Sequence, residues 1–112
     1  MTDQSEITKA LLTFRDERDW KQFHDSKNLA SAISIEAAEL NELFLWKTAE
    51  ESEKVNPEKL KEELADILAF CYLLAEKHDL NIKDIILEKI KKNSEKYPVE
   101  KAKGTAKKYD EL

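Results

Sequence analysis

Apolar residues recur along the chain at intervals of three and four, the spacing of one helix face. Ile7, Leu11 and Phe14 follow it up to the charged cluster Arg15 to Asp19, and Ser5 is placed to cap this first helix. The segment Trp20 to Asn28 breaks the period and carries Asp25, Ser26 and Asn28, so it reads as a connecting turn with a cap for the next helix. A second helix is expected from about Leu29 to Thr48, then a polar loop from Ala49 to Asn56. Asn56-Pro57 is a cap followed by a first-turn proline, and it opens a third helix running to about His78. Asp79-Leu80-Asn81 is the next break. Asn81 caps a fourth helix that carries Ile82, Ile85, Ile86 and Ile90 and ends near Tyr97-Pro98. Residues 1–98 are expected to form one domain, with 99–112 as a flexible tail.

Composition supports this all-α reading. A chain of 112 residues is one domain's worth, and its single glycine and two prolines leave almost none of the turn residues that hairpins need. Charged residues make up 38% and hydrophobic ones 41%, which describes helices with solvated faces rather than a disordered chain. The net charge of -5 argues against binding a nucleic acid polymer, where phosphate neutralisation needs a basic surplus. Cys71 stands alone inside the apolar run Ile67 to Ala75, so it reads as core filler in a reducing compartment. That run is far too short to span a bilayer, and residues 1–20 hold no signal-like apolar stretch, so a cytoplasmic protein with no membrane partner is expected.

The chemistry enters where acids interrupt the apolar stripes. On the second helix Leu29, Ile33, Leu40 and Leu43 share a face, and Glu36 falls in its middle with Glu39 on its shoulder. Burying an unpaired carboxylate costs several kcal/mol, so Glu36 requires a compensating positive group. The third helix repeats the anomaly. Its core stripe is expected to be Leu64, Ile67, Cys71 and Leu74, with Glu63 and Asp66 on a shoulder beside Phe70 and Leu73. Four carboxylates converging from two helices would repel one another unless hard cations lay between them, and oxygen-only ligands favour Mg²⁺, with Mn²⁺ as the alternative. Ion pairs with lysines of the fourth helix or of a partner chain are the structural alternative.

Glu36-Ala37-Ala38-Glu39 followed on the next helix by Glu63-Leu64-Ala65-Asp66 resembles the ExxE…ExxD signature of the MazG-like all-α nucleoside triphosphate pyrophosphohydrolases. Arg18 to His24, Lys27-Asn28, Leu43 to Lys47, Lys92-Asn93 and Tyr97-Pro98 extend the resemblance, which is strongest to the dCTP pyrophosphatase branch. It implies a four-helix fold in an oligomeric bundle, a homodimer or homotetramer. It also implies Mg²⁺-dependent cleavage of (d)NTPs, among them dCTP, to the monophosphate and pyrophosphate, in nucleotide pool sanitation. Glu36, Glu39, Glu63 and Asp66 match the family's metal ligands, and Glu39 is chosen as the group that orients the attacking water. Trp20 and Trp46 match positions around the base; His24, Lys27, Asn28 and Asn93 match polar positions near the pocket.

Two departures bear on specificity. Leu11 stands where the cytosine-selective members are expected to carry a histidine, and Phe70 stands where they carry a tyrosine. Each removes a hydrogen-bonding group from the base site, so a broader dNTP range than cytosine alone is expected. Hydrolysis of dUTP or phosphoribosyl-ATP is the sibling chemistry, and a non-catalytic helical interaction module is the reading from another class.

Overall fold

Each long helix begins on a side chain that accepts a hydrogen bond from its own first turn. In the computed structural model, which describes residues 1–112, these are α1 (Asp3–Glu17), α2 (Ser26–Glu42), α4 (Pro57–Lys77) and α5 (Ile82–Lys96). Their caps are Thr2, Asp25, Asn56 and Asn81 in turn. The fold is all-helical, as expected. Short elements join the long ones: a 3₁₀ turn at Lys21–Phe23, the one-turn helices α3 (Ala49–Ser52) and α6 (Val99–Ala102), and a 3₁₀ turn at Tyr109–Glu111. No helix is long and apolar enough to cross a membrane.

Local hydrogen bonding corrects several expected boundaries. Thr2, not Ser5, caps α1: its hydroxyl accepts from the Ser5 amide at 3.1 Å. The second long helix starts earlier than expected because Asp25 Oδ1 takes the Asn28 amide at 2.7 Å, which lets Ser26 enter the helix. It also ends earlier, at Glu42, where tighter turns carry the chain through Leu43, Phe44 and Leu45. The expected polar loop holds α3, stabilised by a capping box in which Thr48 and Glu51 each bond the other's backbone amide.

With so little glycine, other residues take the left-handed positions that close helices and turns. Asp19 (φ 56°) follows α1, Asp79 (φ 60°) follows α4, and Trp46 (φ 63°) ends the turn after α2.

The chain forms two compact units, Met1–Asp79 and Leu80–Leu112. In the first, α4 packs along α2 and against α1. Helices α2 and α4 run in opposite directions, since Ser26 at the start of α2 meets His78 at the end of α4, Oγ to Nε2 at 2.8 Å. Near that end lies the core: Leu29, Leu73 and Ala75 are buried.

This corrects the expected face of α4. Leu64 is 46% exposed and Leu68 48%, so the third expected helix is not enclosed all round within one chain. Ile67, Cys71 and Leu74 of the expected stripe are half-buried, as are Glu63 and Phe70, while Leu73 and Ala75 are the buried residues, because a helix rich in apolar residues on every side takes its orientation from its neighbours.

In the second unit, α5 leaves Ile86, Leu87 and Ile90 more than half exposed. The residues after it include α6 and the last 3₁₀ turn, where Tyr109 meets Tyr97 edge to face at 6.2 Å and Lys96 Nζ lies 4.9 Å above the Tyr109 ring.

Candidate active site

Away from the Leu29 end, the α2/α4 contact changes character. Glu36 and Glu39 on α2 face Glu63 on α4, and one carboxylate oxygen from each falls within 4.8 Å of the others. Helical spacing makes this possible, because residues three apart share a face and the two helices run in opposite directions. No lysine or arginine answers them; the chain's ion pairs engage Asp16, Glu17, Glu50 and Glu58 instead. Glu36 Oε2 and Glu63 Oε2 are buried with no hydrogen-bond partner.

Desolvation, then the hydrogen bond and charge of Glu39, and then the charges of Asp66 and Glu63 push Glu36 up to about 7. Burial and the charges of Glu39 and Asp66 also raise Glu63. Asp66 stands outside the close triad of oxygens, yet its charge bears on both glutamates.

A cavity of about 380 Å³ opens beside the acids. Glu36 and Asp66 line it together with Leu11, Phe14, Trp20 and Phe70, and Arg15, His24, Ala69 and Leu73 complete the wall. The rings hold one another in place. Phe14 and Trp20 meet edge to face at 5.8 Å, His24 and Phe70 at 6.3 Å, and the Arg18 guanidinium covers the Phe14 ring at 3.7 Å. Burial, and secondly the charge of Arg15, hold His24 below the usual imidazole range, and its Nδ1 is buried without a partner. The arrangement joins a hard, anionic oxygen cluster, suited to a divalent cation, to an aromatic slot suited to a flat ring.

The family model described as MazG-like matches residues 31–112. The chain belongs to the MazG-like family. It is 37% identical to dCTP pyrophosphatase 1 of Mus musculus and of Homo sapiens, each in an alignment that covers 96% of this chain and 66% of the relative. The chain thus spans just under two thirds of the length of those curated relatives. Among solved structures it resembles a pyrophosphatase from Archaeoglobus fulgidus DSM 4304, with TM-score 0.83 and 36% identity, covering 88% of this chain and 94% of that one.

Within this MazG-like chain the expected site residues separate. Glu36, Asp66, Trp20, His24 and Phe70 share the cavity, and Glu39 and Glu63 adjoin it through Glu36. Lys27 is exposed on α2. Asn28 is tied into the helix cap, its Nδ2 donating to Asp25 Oδ2 and to the Phe23 carbonyl. Trp46 is 93% exposed and does not line the cavity, so it is neither core nor wall within one chain. Asn93 lies on α5 in the second unit, in a groove with Ile85, Ile86, Lys89 and Ile90.

Sequence reasoning missed Phe14, Arg15, Ala69 and Leu73 as cavity residues. The signal for the first two was present: Leu11, Phe14 and Arg15 share one face of α1 at the i, i+3, i+4 spacing.

Proposed function

We propose that this chain is a Mg²⁺-dependent nucleoside triphosphate pyrophosphohydrolase acting on dCTP and related dNTPs. The carrying observation is the triad of carboxylate oxygens within 4.8 Å, two of its residues bearing a buried oxygen without a partner, at the mouth of an aromatic cavity. Oxygen-only donors without a positive neighbour fit a hard divalent cation, held by Glu36, Glu39 and Glu63 with Asp66 beside them. When bound, such an ion supplies positive charge to phosphate oxygens and acidity to a water.

The remaining work falls to the chain's own side chains. Trp20 and Phe70 offer faces to the base and His24 a polar group, and the acids, by holding a cation, would fix the phosphate end at the opposite side. Glu39 is the exposed member of the triad, so its carboxylate can reach a water and orient it for attack on the α-phosphorus. Pyrophosphate leaves. Removal of unwanted nucleotides from the pool is the role this chemistry serves. A homodimer or homotetramer is part of the same reading, supported by the half-exposed Ile35, Leu64 and Leu68 beside the acids and by the solvent-facing Trp46.

The test is product analysis on a panel of dNTPs and NTPs, with dUTP and phosphoribosyl-ATP included, in the presence of Mg²⁺. Monophosphate and pyrophosphate in equal amounts are expected. Diphosphate plus orthophosphate would overturn the assignment, because the bond cleaved would then be the wrong one.

A further inference from the structure

The apolar walls of the cavity leave open what reads the base. Leu11, Phe14 and Phe70 carry no hydrogen-bonding group, while Arg15 lines the same space. Its side chain is only 12% exposed, unlike an ordinary surface arginine. Nε donates to Asp16 Oδ1 at 2.8 Å, which fixes the plane of the guanidinium.

Arg15 also belongs to the aromatic side of the cavity. It lines the cavity with His24, Phe14 and Trp20, shares a second groove with His24, Leu73 and Glu76, and is not part of the triad of carboxylate oxygens. With a triphosphate held through a cation on the acids, the base is the part of the nucleotide that reaches Arg15.

We propose that Arg15 is a specificity-determining residue whose Nη edge selects bases that present two adjacent acceptors. The inference rests on the pyrophosphohydrolase reading. A guanidinium has donors only, set in a planar fork. Cytosine offers N3 and O2 side by side, and guanine offers O6 and N7. Thymine and uracil place an N–H between their carbonyls, and adenine sets an amino group beside each ring nitrogen on its hydrogen-bonding edges. Arg15 can pair with two atoms of the first group and with only one of the second. Cytosine and guanine nucleotides are favoured over thymine and adenine nucleotides by about 10- to 100-fold, the range of a good bidentate pair. The fork replaces the hydrogen bonds that a histidine at Leu11 and a tyrosine at Phe70 would supply.

The experiment compares kcat/KM for dCTP, dGTP, dTTP and dATP in the wild type, Arg15→Lys and Arg15→Gln, with melting temperatures recorded for all three. The preference should fall towards unity in both variants, since lysine keeps the charge but loses the fork. In wild type, 3-deaza-dCTP and 7-deaza-dGTP should each lose most of the advantage of their parents, a readout that holds whether or not the variants fold. An equal fall for all four dNTPs would make Arg15 a phosphate clamp and overturn the proposal, as would deaza analogues that match their parents. A wild type that turns over no dNTP would sink the pyrophosphohydrolase reading itself, which separates that failure from the failure of Arg15.

Discussion

The two halves of the α2/α4 pair are built from the same helices and obey opposite rules. Around Leu29, Leu73 and Ala75 the contact is apolar and buried, and Ser26 and His78 pin its end. Around Glu36, Glu39 and Glu63 the same two helices press carboxylates together and leave two buried oxygens without partners. The first half stabilises the pair; the second strains it electrostatically. Conflict of this kind in an otherwise consistent helix pair marks a functional site, where the missing partner is a ligand rather than another side chain.

The contrast is sharpest in opposite responses to substitution. Glu36→Gln or Glu63→Gln should lower turnover by at least about a hundredfold while leaving the metal-free protein as stable as before or more so, because one repelling charge is gone. Steady-state kinetics and thermal melts check both parts, and near-normal turnover with a large loss of stability would return the acids to a structural role. Leu29→Ala in the apolar half should cost about 2–5 kcal/mol of folding stability by opening a cavity in a small core, read by urea unfolding. A smaller cost than at the acids would erase the distinction between the halves.

The tryptophans refine it further. Trp20→Ala removes a cavity wall and should weaken nucleotide binding by about 5- to 100-fold, measured by titration with a non-hydrolysable analogue, while Mg²⁺ stabilisation survives. Trp46→Ala should change affinity by less than about twofold if a single chain forms the slot. A loss at Trp46 as large as at Trp20 would mean that a second copy brings this exposed ring to the base.

Much of this was legible before the fold. Four long helices could be read because caps such as Asn56 and Asn81 and the three-and-four spacing act locally. Glu36 stood out because a carboxylate on an apolar stripe contradicts the rule that places the rest of the stripe. The inner face of α4 was only partly legible: Ile67, Cys71 and Leu74 are half-buried as expected, but with leucines, isoleucine and phenylalanine all round the periodicity favours no side, and packing against α1 and α2 decides for Leu73 over Leu64. Arg15 was hidden for a different reason. It opens a run of charges at the end of α1 and reads as a solvated residue, and only the folded ring cluster of Phe14, Trp20, His24 and Phe70 shows that it is nearly enclosed.

The central claim is that the acid half awaits a cation, and its most direct test is thermal melting of the metal-free chain against pH, with and without Mg²⁺. Glu36 moves from its ordinary 4.5 to about 7 on folding, so the folded state holds the extra proton between those values. That contribution is fully present below the lower value and is lost as pH rises through the upper one. The metal-free protein should therefore melt higher at about pH 5.5 than at about pH 8, Mg²⁺ should restore the loss at the higher pH, and Glu36→Gln should flatten both responses. His24, held below the usual imidazole range by burial, acts in the opposite sense over the same span, so the decisive reading is the difference between wild type and Glu36→Gln: a wild type that matches that variant at every pH and ignores Mg²⁺ would contradict the account.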